Sequence, residues 1–294
     1  MREIDWTPIS TTFGARANID FSAALPPGFE RAWQQLFRAR HLIVVPNANI
    51  DEDMQGRLAA MLGPICPKEN SDGSSALAGY ISNDESKGIL GATELAFHSD
   101  LSLAPHPLDG ISLYGLKLTA GTSSTRWVSG MAGHAALPSA LQTRIKGLEI
   151  VNVISNVRRE RNRFIGTTPT IPATRRPLVE TDSAGMAYLY CNEAQTDHII
   201  GLSAKESDAI LDEIYAVLYA PEGIVEHVWQ PGDLVIWNNL VLQHARGDVS
   251  GVGERTLRRF QLGQMGLRRQ FPEFAAMIRT SYGRGVTPDD SMAS

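Results

Sequence analysis

The sequence predicts a mainly β fold with helical insertions, a sandwich or closed barrel carrying helices on its outside. Three observations lead there. Short apolar segments bounded by Gly, Pro, Asn and Asp recur along the chain. Helical periodicity gathers in an early group near residues 26–62 and in one late insertion near 203–220. Strands and helices do not alternate as βαβ units, which excludes a parallel doubly wound sheet.

Taken in order, Pro26-Pro27-Gly28 opens a helix whose Phe29, Trp33, Leu36 and Phe37 form one apolar stripe. His41 to Val45 then reads as a short buried strand. Asp51 can cap a second helix running to Gly63, with Leu58 and Leu62 inward. Lys68 to Gly91 is polar and rich in Gly, Ser and Asp, so it is read mainly as loop, with Tyr80-Ile81-Ser82 a short strand inside it. Strands are expected at Ala96–Leu103, Ile111–Lys117, Ser124–Val128, Leu148–Ile154, Ala187–Cys191, Leu234–Trp237 and Thr256–Leu262. Ser203-Ala204-Lys205-Glu206 has capping-box spacing, and Ile210, Ile214, Val217 and Leu218 give its helix an apolar face.

With 294 residues and no compositional break, the chain is expected to form one domain over 1–294. Twenty-seven basic against 32 acidic residues leave a net charge of −5, which offers no footprint for nucleic acid or an anionic membrane. The clusters Arg158–Arg161, Arg175-Arg176 and Arg258-Arg259 read as solvated faces or local anion contacts. The start of the chain is polar, and no run approaches the ~20 apolar residues of a membrane span. Two cysteines, Cys66 and Cys191, cannot build a disulfide framework, so a soluble protein of the reducing cytoplasm is expected.

The chemistry begins at Phe97-His98-Ser99-Asp100. On a strand, residues two apart share a face, so His98 and Asp100 can aim an imidazole and a carboxylate at one point. Alone the pair is weak: with seven histidines, roughly one such match arises by chance, and a strand-end histidine bonded to a nearby acid explains it equally well. A second segment changes the balance. Pro231-Gly232-Asp233-Leu234-Val235-Ile236-Trp237-Asn238-Asn239 is a turn, an apolar strand and a polar corner, and it leads to His244. Arg255 and Arg259 follow eleven and fifteen residues later, on one face of a strand, while Arg258 points away. Two histidines and a carboxylate form a facial triad suited to non-haem iron(II), leaving room for a chelating 2-oxo acid and O2. The far carboxylate of such an acid needs a cation, and a guanidinium meets it bidentately. A jelly-roll metalloprotein of non-redox chemistry, an isomerase or lyase, would keep the triad without Arg255, and a non-catalytic 2-oxoglutarate-binding protein would keep both.

Over roughly Leu36 to Gly266 the chain resembles the taurine dioxygenase/2,4-D dioxygenase (TauD/TfdA) family. The likeness is carried by the segments just named together with Pro107–Gly115, Thr125–Ser129, Leu189-Tyr190-Cys191-Asn192-Glu193 and Trp229–Asp233, in order and at matching spacings. It implies a double-stranded β-helix, the jelly-roll, cupin-like core, and an iron(II)- and 2-oxoglutarate-dependent dioxygenase. Such an enzyme oxidises a substrate with O2 and releases succinate and CO2. It also implies His98, Asp100 and His244 as metal ligands, and Arg255 with Thr125 on the distal carboxylate of 2-oxoglutarate. Arg259 would face the substrate anion or the same co-substrate, and Trp237 would be core with Asn238 supporting the site. By itself Thr125 would read as a β-branched strand residue. Homo-oligomers are common among such relatives, though no interface is legible here. Of the remaining histidines, His41 begins the buried strand, His134 lies in a helical stretch, and His106, His198 and His227 have no partner at ligand spacing; His198 alone follows the Asn192-Glu193 motif that borders the pocket in relatives.

A small, anionic organic substrate is expected from Arg259. Where taurine dioxygenase has a sulfonate-binding histidine this chain has Cys66, and where it has an aromatic pocket residue this chain has Gln195. Both departures argue against taurine. Cys66, Tyr80, Phe97 and Gln195 are the candidates for the substrate wall.

Overall fold

Two sheets face each other across an apolar interior, and the chain crosses between them repeatedly. The structure, a computed structural model, describes residues 4–69, 74–84, 94–153 and 173–272. The Arg158–Arg161 cluster, Ile154 and parts of the 68–91 loop lie outside these residues.

The larger sheet has seven strands in the spatial order Asp5–Pro8, Ala15–Asn18, Leu42–Val45, Leu234–Asn238, Gly110–Leu118, Arg255–Leu262 and Gly79–Ser82. The smaller has four, Val225–Val228, Ser124–Ser129, Leu242–Arg246 and Leu95–His98. From Gly110–Leu118 the chain passes to Ser124–Ser129 in the other sheet. It later goes from Leu234–Asn238 to Leu242–Arg246 and back to Arg255–Leu262. This crossing between sheets builds the jelly roll. Trp127 of the smaller sheet meets Trp237 of the larger edge to face, ring centroids 5.6 Å apart, and both are fully buried.

The larger sheet is covered on both faces, which explains why Leu42-Ile43-Val44-Val45 is apolar without alternation. Leu42 and Val44 belong to the interior between the sheets, while Ile43 and Val45 pack outward with Trp33, Leu36 and Leu58. The helices Phe29–Arg40 and Glu52–Ala60 supply that outer layer. Phe29, Trp33, Leu36 and Phe37 are all buried, and the Asp51 carboxylate accepts from Met54 N at 2.8 Å. The late helix, Ala204–Leu218, has both capping-box bonds between Ser203 and Glu206. It packs over the smaller sheet through Tyr219, whose ring stacks on Phe97 at 4.8 Å.

Several boundaries differ from expectation. The predicted Ala96–Leu103 strand ends at His98, because Leu101 adopts a left-handed φ of 58°. His41 is not in a strand: it is the left-handed cap of the first helix, φ 59°, donating its N–H to Phe37 O. The second helix stops at Ala60 rather than reaching Gly63. Leu242–Arg246, which is absent from the expected strands, is a strand; its Gln243, His244 and Arg246 hide the apolar signal. The hairpin Asp5–Pro8 with Ala15–Asn18, and the helix Ser139–Ile145, gave too little periodicity to be placed, while the helical stretch expected around His134 is the helix Gly130–Ala136.

Candidate active site

His98 and His244 are directly opposed partners across the antiparallel pair Leu95–His98 and Leu242–Arg246. Opposed residues project from the same face, so the two imidazoles lie side by side, centroids 4.2 Å apart. Asp100 joins them from the turn after His98, not from the strand itself. Its Oδ1 lies 3.3 Å from His98 Nε2 and 4.0 Å from His244 Nε2. One donor atom from each of the three residues falls within 4.8 Å of the others. The side chains keep 13%, 18% and 12% of their exposure, a recessed site still open to small molecules.

The donor chemistry fits a divalent metal. His98 Nδ1 donates to the Ala96 carbonyl at 2.8 Å, which fixes the tautomer and leaves a lone pair on Nε2. Burial pulls His244 down to about 3, with the neighbouring His98 adding to the effect, so this imidazole is neutral at ordinary pH. Burial alone would raise the Asp100 carboxyl. The Arg259 guanidinium foremost, with the two neighbouring histidines, outweighs it and holds Asp100 ionised, well below the usual carboxylate range. Two imidazoles and one carboxylate are the ligand set of the iron(II) facial triad.

Arg259 Nη2 lies 2.5 Å from Asp100 Oδ2. With its amide turned oxygen-first, Gln261 accepts from Nη1 and Nη2 at 3.0 Å each. Arg259 is therefore engaged with a triad carboxylate, while its buried Nε has no hydrogen-bond partner among the described residues. Arg255, on the same strand face, is 2% exposed; its Nε donates to Ser123 Oγ at 3.1 Å and its buried Nη1 has no partner among the described residues. Burial, and then the charge of Arg246, lower Arg255 to about 10. Thr125 lies on the facing sheet, its Oγ1 accepting from Trp229 Nε1 at 2.9 Å. A buried guanidinium with a nitrogen unsatisfied is the cradle a carboxylate would fill. Arg258 faces the other way, bonded to Gln55 and to Ile50 O.

The wall candidates separate. Phe97 projects from the face opposite His98, between Tyr219 and the Arg126 guanidinium. Tyr80 is the strand partner of Arg258, not of Arg259, and its hydroxyl reaches Glu52 at 3.4 Å on the helix-covered side. Cys66 is buried beside the Arg259 strand, its N–H donating to Gln261 O at 2.8 Å. Gln195 accepts from Ser102 Oγ, which ties the Asn192-Glu193 loop to the turn carrying Asp100. His198 pairs with Asp197 at 2.6 Å and His227 Nε2 lies 3.0 Å from Asp233 Oδ2, outside hydrogen-bond alignment.

Asn238 does not support the triad. Its Oδ1 accepts from Leu240 N and Val241 N, capping the corner before the His244 strand. The neighbouring Asn239 is the residue that reaches Asp100. Sequence reasoning also passed over Arg246, buried two residues after His244, although strand alternation after that histidine would have found it.

A family model described as taurine catabolism dioxygenase TauD, TfdA family, matches residues 5–261. The α-ketoglutarate-dependent 2,4-dichlorophenoxyacetate dioxygenase of Cupriavidus pinatubonensis is 26% identical over 281 residues, covering 86% of this chain and 95% of its own. The (S)-phenoxypropionate/α-ketoglutarate-dioxygenase of Sphingobium herbicidovorans is 24% identical, with coverages of 82% and 88%. The crystal structure of a taurine dioxygenase from Burkholderia xenovorans superposes with a TM-score of 0.73 at 22% identity, covering 89% of this chain and 91% of that one.

Proposed function

Because the chain belongs to the TauD/TfdA family of α-ketoglutarate-dependent dioxygenases, we propose that His98, Asp100 and His244 hold its iron(II), that Arg255 and Thr125 receive the distal carboxylate of 2-oxoglutarate, and that its substrate is a small organic anion. The enzyme is an iron(II)- and 2-oxoglutarate-dependent dioxygenase, an oxidoreductase. Family membership thus decides against the isomerase or lyase alternative. One observation carries the residue assignment: three donor atoms converge within 4.8 Å inside a barrel whose buried Arg255 has an unpaired nitrogen.

Held by His98, Asp100 and His244, iron(II) with 2-oxoglutarate would supply O2 activation, coupling oxidative decarboxylation to succinate and CO2 with oxidation of a substrate C–H bond. The chain's own residues bind and orient. Arg255 and the Thr125 hydroxyl anchor the co-substrate by its far end, which turns its keto acid toward His98 and His244. Trp127, Trp237 and Trp229, all fully buried, exclude water from that end. Asp100 stays ionised beside Arg259 and keeps Oδ1 toward the two imidazoles.

The anionic substrate is supported by the relatives above, whose named substrates are phenoxy acids, and by the Arg259 charge near the triad. Cys66 and Gln195 argue against taurine itself. We read residues 1–294 as a single domain. No helix among the described residues is long and apolar enough to cross a membrane. A cytoplasmic location is our reading of a chain with two cysteines, too few for a disulfide framework.

Anaerobic addition of iron(II) and 2-oxoglutarate should give a weak visible charge-transfer band. Its absence in well-folded protein would overturn the assignment. Succinate release should then respond to a member of a panel of small carboxylates, sulfonates and sulfate esters. A response to taurine alone would sink the argument from Cys66 and Gln195.

A further inference from the structure

We propose that Asn239 is a positioning residue for the metal centre, fixing the main chain of Asp100 against the corner from which the His244 strand departs. This rests on the reading of Asp100 as a ligand. His98 and His244 are spaced by a β-ladder, but Asp100 has no ladder to hold it: the strand ends at His98 and Leu101 is left-handed. A turn that carries a metal ligand and includes a non-glycine residue at φ 58° needs an external restraint.

Asn239 supplies it. Its Oδ1 accepts from Asp100 N at 2.9 Å, and its Nδ2 donates to Asp100 O at 2.9 Å. The second Nδ2 hydrogen goes to Leu108 O, also at 2.9 Å, and the Asn239 N–H donates to Asp109 O at 3.0 Å. The side chain is fully buried and both its nitrogen donors are used. Both main-chain polar groups of Asp100 are thereby gripped by one amide. Its carboxylate is held separately, through Oδ2, by Arg259. With main chain and Oδ2 both tied, Oδ1 is the oxygen left facing His98 and His244.

Only an asparagine fits this place. An amide of this length offers one acceptor and two donors; an aspartate loses both donors, and an alanine loses everything. Because Asn239 stands at the start of the corner leading to Leu242–Arg246, it sets the Asp100 turn against the His244 strand. Tertiary registration of one ligand against another is thus the work of a residue that touches neither metal nor substrate.

The test is titration of the cofactor-free protein with Mn(II) alone, read by the electron paramagnetic resonance signal of the free ion. Asn239→Ala should fold, by circular dichroism, and bind Mn(II) about 10–100-fold more weakly than the unsubstituted chain. Gln55→Ala, which removes an equally buried amide bonded to Ser112 and Arg258 on the far side of the sheet, should leave Mn(II) affinity unchanged. Should Asn239→Ala fail to fold, the isosteric Asn239→Asp serves; it should also bind more weakly, although its added negative charge alone would favour the cation. Unchanged affinity in the folded Asn239 variant, or an equal loss in Gln55→Ala, overturns the proposal. Asp100→Ala distinguishes the underlying reading: lost binding there with unchanged Asn239 variants refutes only the role of Asn239, whereas unchanged binding there refutes the metal site and the proposal with it.

Discussion

The guanidinium of Arg259 and the carboxylate of Asp100 form an ion pair inside the barrel, 2.5 Å between Nη2 and Oδ2. Removing the cation leaves a largely buried carboxylate uncompensated. Arg259→Met should cost the cofactor-free protein roughly 2–3 kcal/mol, the low end for such pairs because Asp100 keeps some solvent contact. A divalent ion placed at the triad restores positive charge to Asp100, so the rise in Tm on adding Mn(II) should be larger in the variant than in the unsubstituted chain. Thermal melts in chelator and in Mn(II) decide this, and equal rises would refute it.

Arg255 should show the opposite balance of stability and function. Its buried nitrogen is unpaired, and burial lowers the guanidinium to about 10. Arg255→Met should therefore melt higher than the unsubstituted protein without ligand. It should lose about 100-fold in 2-oxoglutarate affinity, equivalent to roughly 3 kcal/mol for a buried charge pair. Calorimetric titration of 2-oxoglutarate into the Mn(II)-loaded protein measures the loss. Mn(II) affinity itself should not change.

Asp233 gives a pH dependence with a definite sign. Burial by itself would raise its carboxyl, but His227 beside Oδ2 and the N–H groups of Gln230, at 2.9 Å, and Asn47, at 3.1 Å, bring it below its ordinary 3.8. A carboxyl depressed by folding contributes stability that is fully present above the unfolded value and lost as pH falls through the folded one. Asp233→Asn should thus be less stable than the unsubstituted chain at pH 6, by about 1–3 kcal/mol. The gap should shrink once pH drops below about 3.8. A gap constant from pH 6 to pH 2.5 in melting experiments would contradict the assignment.

Tyr219 tests whether the layer outside the smaller sheet is structural. Its hydroxyl donates to Gln243 Oε1 at 2.7 Å and accepts from Glu193 N at 3.0 Å. Tyr219→Phe takes the hydroxyl from both part-buried partners and should cost about 1–2 kcal/mol. The ring stack on Phe97 survives, and Mn(II) affinity should be unaltered. A weakened metal site would show instead that Phe97 transmits strain to its neighbour His98.

What could be read from the chain followed the strength of local signals. Leu42–Val45 and Leu234–Asn238 were visible because a sheet covered on both faces demands unbroken apolar runs. The helices at Phe29 and Ala204 announced themselves through periodicity and caps. Leu242–Arg246 was hidden because the site itself places His244, Gln243 and Arg246 in a buried strand. His98 and Asp100 were paired for a reason the structure replaces: strand alternation suggested a shared face, whereas a turn brings Asp100 round. Asn239 was missed for Asn238, since adjacent identical residues differ here only in tertiary direction. Tyr80 and Phe97 were candidates for the wall, and strand pairing turns each to the other face of its sheet.

The opposition of His98 and His244 across one ladder has a consequence for how this chain can change. Their spacing is a gauge set by the repeat between neighbouring strands, about 4.5–5.5 Å between opposed α-carbons, a constant of peptide geometry indifferent to side-chain choice. Segments at the barrel mouth can therefore be lengthened, shortened or rewritten for a new substrate while the two imidazoles keep their distance. Choice of substrate and the proposed metal grip would thus fall to different parts of the backbone.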